Sequence, residues 1–216
     1  AEAQRSEAVL VFEPSLPGGG LKTSRKGVGQ FEMRVRGVSA HAGLDPGKGI
    51  SAVRELARQI IAQGEIGDIT FLRAEHTEDF LADASLPGDW RTQGRANGNM
   101  GDLAPHMINA ALALIGPIDK LIAEVETVHK TRPKGTVSND DHAQMMCRFA
   151  NGCMGQMYFS RVAHGRKMGY AYEVTGTKGA IRFDQEDQNA IWLYTADEPE
   201  TTRGFRKILT GPAHPD

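Results

Sequence analysis

The stretch His142-Ala-Gln-Met-Met-Cys-Arg-Phe-Ala-Asn-Gly-Cys-Met-Gly-Gln-Met-Tyr-Phe-Ser160 decides the fold. In it Ala143, Met145, Cys147 and Phe149 alternate with His142, Gln144 and Arg148, the period-two signature of a half-buried strand. Asn151-Gly152 is a strong hairpin signal, and the chain returns through Met154 to Ala163. With Asn151-Gly152 as the turn, Ala150 faces Cys153 and Cys147 falls opposite Gln156. The two cysteines are then not directly cross-strand, which favours two reduced, buried thiols over a disulfide.

Working outward, the same period recurs. Tyr170, Tyr172 and Val174 alternate, Gly176 to Gly179 turns, and Ala180–Phe183 and Ala190–Tyr194 follow as strands. Upstream, Leu121, Ala123, Val125 and Thr127 alternate with Glu124 and Glu126, and Ile69–Glu75 is a further strand. Leu103, His106, Met107, Ala110, Ala111, Leu114 and Ile115 recur at helical spacing and stop at Gly116-Pro117. These elements predict an α+β fold, a large and mostly antiparallel sheet with helices on one face.

That helix carries the candidate chemistry. Gly98-Asn-Met-Gly-Asp-Leu-Ala-Pro-His-Met-Ile-Asn109 reads as a loop turning into a helix, with Asp102 and His106 four residues apart. Residues at that spacing share a helical face, and a carboxylate beside an imidazole suits acid–base proton transfer. The bland alternative is a helix histidine partly buried under the sheet. By itself the basic cluster Arg161, His164, Arg166 and Lys167 reads as a solvated loop between strands.

Toward the N-terminus, Ala8–Phe12 reads as a short buried strand and Ser15–Gly20 as a loop. Phe31, Met33 and Val35 mark a second strand. Ile50, Val53, Ala57, Ile60 and Ile61 mark a helix that stops at Gly64. The character changes near Gln63, dividing the chain into segments 1–62 and 63–216. Of the 216 residues 40% are hydrophobic and 24% charged, ordinary for a globular chain. A net charge of -2 argues against a nucleic-acid partner, and no apolar run approaches the ~20 residues that span a bilayer. No export signal is visible at the N-terminus, so the cytoplasm is the expected location.

Two family resemblances add to this reading. FEPSLPGGGLKTSRKGVGQFEMRVRGVSAHAGLDPGKGISAVRELA (12–57) resembles the di-zinc exopeptidases of the glutamate carboxypeptidase and aminoacylase type, at the junction of their catalytic and dimerisation domains. The resemblance implies a β-β-α lid-like segment, with Glu13 in the position of a zinc ligand and His41 in that of an oxyanion-stabilising residue. A catalytic zinc takes three or more protein ligands, and one Glu and one His do not supply them, so zinc is not expected.

The second resemblance covers about 155 residues. LARQIIAQGEIGDITFLRAEH (56–76), GRANGNMGDLAPHMINAALALIG (94–116) and the run 140–183 resemble the C-terminal domain of Gfo/Idh/MocA oxidoreductases. The pieces SRVAHGRKMGYAYEVTGTKGAIRFDQED (160–187) and GFRKILTGPAHPD (204–216) are similar to its inositol- or sugar-dehydrogenase-like members. The likeness implies NAD or NADP as cofactor and a sugar or polyol hydroxyl as substrate. It implies His106 as acid/base and Asp102 as its orienting partner. Asn109 stands where a second Asp is common and binds substrate by a hydrogen bond without charge, while Arg161, His164, Arg166 and Lys167 line the pocket. It also implies a homo-oligomer formed through the sheet face. No Gly-x-Gly-x-x-Gly follows a strand, so no Rossmann domain is expected and the chain alone is expected to be inactive. The family's closing helix and strand segments are also expected to be missing after Asp216. The alternatives are a non-catalytic sugar- or polyol-binding or dimerisation module, and a zinc exopeptidase remnant. The join between the two likenesses falls at Leu56–Ile60 and reads as a chimera or fragment.

Overall fold

The computed structural model describes residues 10–12, 31–33, 52–187 and 189–209. The chain divides into two units, Ala1–Leu56 with Gly211–Asp216, and Ala57–Thr210. In the first, strands β1 (Leu10–Phe12) and β2 (Phe31–Met33) pair antiparallel, with Leu10 opposite Met33. Helix α1 (Ala52–Ala62) spans the division. Glu13, His41 and the expected start of that helix at Ile50 lie outside the described residues.

The second unit is built on one eight-stranded sheet. Its strands are β3 (Ile69–Thr77), β4 (Ile118–Glu126), β5 (His142–Phe149), β6 (Met154–Ser160), β7 (Gly169–Gly176), β8 (Gly179–Asp184), β9 (Ala190–Thr195) and β10 (Arg206–Leu209). Their order across the sheet is β10-β9-β8-β7-β3-β6-β5-β4. Every neighbouring pair is antiparallel except β3 and β6. The sheet-dominated α+β architecture agrees with the alternation in the sequence. Strand β10 has no counterpart in the sequence reading, because only Ile208 and Leu209 in it are apolar.

Alternation sets the two faces. On the inner face Leu72, Ala74 and His76 of β3, Ala143, Met145, Cys147 and Phe149 of β5, and Met157 and Phe159 of β6 are buried. Val174, Ile181 and Phe183 continue that face across β7 and β8. The short helix α2 (Asn99–Asp102) contacts β5 and β6, and α3 (Ala104–Leu114) contacts β3. Burying a ring such as Phe149 or Phe159 contributes about 1.5–3 kcal/mol each.

The β5–β6 register corrects the expected hairpin. Cys147 pairs with Gly155, not Gln156, and Met145 pairs with Met157. The Phe149 amide donates to the Cys153 carbonyl at 2.8 Å, leaving Ala150-Asn151-Gly152 as a three-residue loop. Gly152 sits at φ +88°, the left-handed position that closes such a loop. Burial explains the choice, because a one-residue slip would set apolar residues against exposed ones. In the observed register Ala143, Met145 and Cys147 face the buried Phe159, Met157 and Gly155. Gly155 is required there, since a Cβ would lie 2.8 Å from the Cys147 sulfur and 2.9 Å from the Phe149 ring.

Both thiols are free and buried. Burial raises the pKa of each, with the neighbouring Cys147 adding to the effect at Cys153. A raised thiol pKa makes the reactive thiolate scarce at neutral pH. Alkylation by iodoacetamide in native buffer is therefore expected to be slow at both cysteines and fast after denaturation. Rapid native labelling monitored by intact mass would contradict this.

Strand β4 departs from the expected half-buried pattern. It pairs only with β5 among the described residues, and Leu121, Ile122 and Val125 are 56%, 70% and 56% exposed. Its alternation is real, but as the edge of the sheet it has no covering layer among the described residues. No described helix is long and apolar enough to cross a membrane.

Candidate functional site

The site begins where α2 meets α3. Pro105, two residues after Leu103, lacks an N–H and so interrupts the helical ladder there. Leu103 nonetheless has helical dihedrals, φ -83° and ψ -41°, so the two helices run on almost continuously. Asp102 and His106 therefore stay one turn apart, and both side chains are half-buried.

Two glycines let this turn approach its neighbours. A Cβ on Gly98 would stand 2.1 Å from Asp140 Oδ1, and one on Gly101 would stand 2.0 Å from the Ala96 carbonyl oxygen. Asp140 in turn accepts from the Met100 amide at 2.8 Å through Oδ2, and its carbonyl accepts from the Asn99 amide at 2.9 Å. The Asp140 side chain fills the space at Gly98 and the Ala96 backbone that at Gly101, so neither glycine leaves a cradle for a pyrophosphate.

Around His106 stand two residues that the sequence reading did not single out. The ring of His76 meets that of His106 edge-on, with centroids 5.4 Å apart and planes at 82°. Tyr170 lies beside His76 in the β3–β7 register, and its hydroxyl donates to the His106 carbonyl at 3.4 Å. The signal for His76 was present: it continues the Leu72-Ala74 alternation onto the buried face, two residues beyond.

The basic cluster separates into different roles. Arg161 is entirely buried, and its guanidinium donates to the carbonyls of Arg91 at 2.9 Å, Asn97 at 2.7 Å and Asp140 at 2.9 Å. It also reaches Asn139 Oδ1 at 3.2 Å and Asp141 Oδ1 at 3.5 Å. It thus ties the segment before α2 to the turn before β5. Burial pulls its pKa down, while the charges of Asp141, Asp140 and Asp102 act the other way.

Arg166 bridges Glu75 at 2.6 Å and Glu186 at 2.9 Å. Glu75 precedes His76 on β3 and so points to the opposite face of the sheet. The structure does not bring Arg166 to the Asp102–His106 face. Lys167 pairs with Asp79 at 2.6 Å, and this hydrogen bond, ahead of that from the Gly165 amide, lowers the Asp79 pKa. The amides of Lys167 and Met168 lower the Glu186 pKa. His164 and Asn109 are exposed. Among the described residues no group of three or more His, Cys, Asp or Glu side chains could hold a metal ion.

Comparison with known proteins identifies the domain. Residues 55–182 match the model of the GFO/IDH/MocA C-terminal domain, and residues 23–77 match that of a peptidase dimerisation domain. The chain is 35% identical over 180 residues to a levoglucosan dehydrogenase of Pseudarthrobacter phenanthrenivorans, covering 74% of this chain and 46% of that protein. A levoglucosan dehydrogenase solved with NADH and levoglucosan superposes with a TM-score of 0.71 at 38% identity, over 74% of this chain and 44% of that one. An NAD binding oxidoreductase from Klebsiella pneumoniae superposes with a TM-score of 0.69 at 34% identity, over 72% and 43%. The chain thus spans less than half the length of these relatives. The match from residue 55 to residue 182 takes in both helices of the site, five of the eight sheet strands and most of β8, and the chain belongs to the GFO/IDH/MocA C-terminal domain family.

Proposed function

We propose that this chain is the substrate-side domain of a sugar or polyol dehydrogenase, in which His106 exchanges a proton with the reacting hydroxyl. The observation that carries the reading is the nearly continuous helical backbone at Leu103, which keeps Asp102 and His106 on one face. Asp102 orients the imidazole or the substrate, and Asn109, one turn further on, can hydrogen-bond a second hydroxyl without adding charge. The relatives named for levoglucosan and for NADH support a sugar substrate and a nicotinamide acceptor. No Gly-x-Gly-x-x-Gly fingerprint for that acceptor follows a strand in this sequence, so the chain alone is expected to bind substrate without turning it over.

The test is ligand titration of the 15N-histidine-labelled chain. Levoglucosan is expected to shift the His106 ring signals, and Asp102→Asn is expected to weaken that response about tenfold, the effect of losing a hydrogen bond to a charged group. An unmoved His106 at saturating levoglucosan, with myo-inositol and L-sorbose equally silent, would refute the reading. NADH fluorescence should show no tight binding, and a micromolar dissociation constant would refute the absence of a cofactor site.

The outer sheet face supports self-association. Arg73, Glu75, Gln144, Tyr158, Glu173, Arg182 and Trp192 line an open depression of about 740 Å³ there. Mixed charge of this kind suits a self-complementary contact. Sedimentation velocity is expected to report a dimer that Arg182→Glu shifts toward monomer; a monomer at high micromolar concentration would count against it.

A further inference from the structure

His76 is a buried polar side chain beside the reacting pair to which the chemistry above gives no role. Only 5% exposed, it projects from the central strand β3 toward the joint between α2 and α3. Its Nδ1 lies 2.9 Å from the carbonyl oxygen of Leu103. A carbonyl only accepts, so Nδ1 must carry a proton and donate it. The opposite nitrogen, Nε2, comes within 3.3 Å of Glu78 Oε1 but has no hydrogen-bond geometry, so Nδ1 is the anchored end of the ring.

Leu103 is the single residue between Asp102 and the helix that carries His106. Its carbonyl also accepts from the His106 amide at 3.3 Å, in the tight turn that Pro105 leaves behind. A helix start without a regular ladder has soft rotation, and here two elements of the sheet hold it. His76 on β3 fixes the Leu103 carbonyl, and Tyr170 on β7 fixes the His106 carbonyl at 3.4 Å. The His76 ring also stands edge-on to His106 at 5.4 Å and to Tyr170 at 5.3 Å, with planes at 82° and 86°. The first turn of α3 is thus held at two carbonyls, one by His76 and one by Tyr170.

Resting on the reading of Asp102 and His106 given above, we propose that His76 is a positioning residue, whose Nδ1–H bond to the Leu103 carbonyl sets the orientation of that pair. It touches neither substrate nor cofactor in this role. A histidine that only filled space would be replaceable by phenylalanine. A histidine needed for its donor would be replaceable by asparagine, whose amide nitrogen falls near the place of Nδ1.

Two-bond 1H–15N spectra of the labelled chain provide the test. In the unaltered protein His76 is expected to be protonated at Nδ1; a bare Nδ1 overturns the proposal. His76→Phe is expected to shift and broaden the His106 ring signals and weaken their levoglucosan response about tenfold, as for a lost buried hydrogen bond. His76→Asn is expected to return both to within about twofold of the unaltered protein. Unchanged His106 signals and affinity in His76→Phe overturn the proposal. If His76→Phe does not fold, His76→Gln replaces it, since glutamine reaches the place of Nε2 and not Nδ1. Glutamine retaining the His106 signals as well as asparagine does would then overturn it. Should levoglucosan leave the unaltered protein silent while the His106 signals still depend on the Nδ1 donor, the substrate reading fails and the positioning role stands.

Discussion

Arg161→Met is expected to destabilise the domain by about 3–5 kcal/mol, the largest loss from any single side chain here. Arg161 and its partner Asp141 are 0% and 1% exposed. Removing the cation strands the Asp141 carboxylate and orphans the carbonyls of Arg91, Asn97 and Asp140, each at a cost of about 1–3 kcal/mol if unmatched. A domain with a total stability of roughly 5–15 kcal/mol has little margin for this. Urea unfolding followed by circular dichroism measures it as a lowered midpoint with an unchanged slope. Adding Asp141→Asn to Arg161→Met should recover part of the loss, because the stranded charge is then gone. A single variant within 1 kcal/mol of the parent would refute the account.

Gly101→Ala is expected to cost on the order of 3 kcal/mol, the upper end of overpacking. Its methyl would lie 2.0 Å from the Ala96 carbonyl oxygen and 2.6 Å from the carbonyl carbon. Backbone cannot swing aside as a flexible side chain can, so the turn carrying Asp102 must move. The displacement should appear in the His106 ring signals as well as in the urea midpoint. By contrast, Gly64→Ala meets nothing within 4 Å, and its cost comes only from its positive φ of +75°. The comparison separates crowding from backbone strain: equal effects on the His106 signals from the two variants would refute the crowding argument.

The sheet was legible because alternation is a local property. The apolar set Ala143, Met145, Cys147 and Phe149 falls on the buried face as the sequence pattern requires. The hairpin register was not, because Asn151-Gly152 fits both a two-residue and a three-residue loop. The choice came from matching buried to buried residues on a strand that must be found first. In the same way, Leu121 and Val125 alternate as a covered strand would, yet nothing local says that β4 ends the sheet. The basic cluster divided for a related reason. Arg161 and Arg166 are five residues apart in one loop. One is sealed against the segment before α2, and the other lies on the far face with Glu75 and Glu186.

By itself the sequence determined seven of the eight strands of the large sheet, the helix that follows Gly98 and the spacing of Asp102 and His106, because each depends on residues within a few positions of one another. Only the tertiary structure decided what surrounds that pair. His76 and Tyr170 reach it from β3 and β7, 30 and 64 residues away from His106 in the chain, and no local pattern records so distant a pairing. The strand order that sets β3 beside β7 does, because cross-strand register puts His76 opposite Tyr170 and aims both at the start of α3.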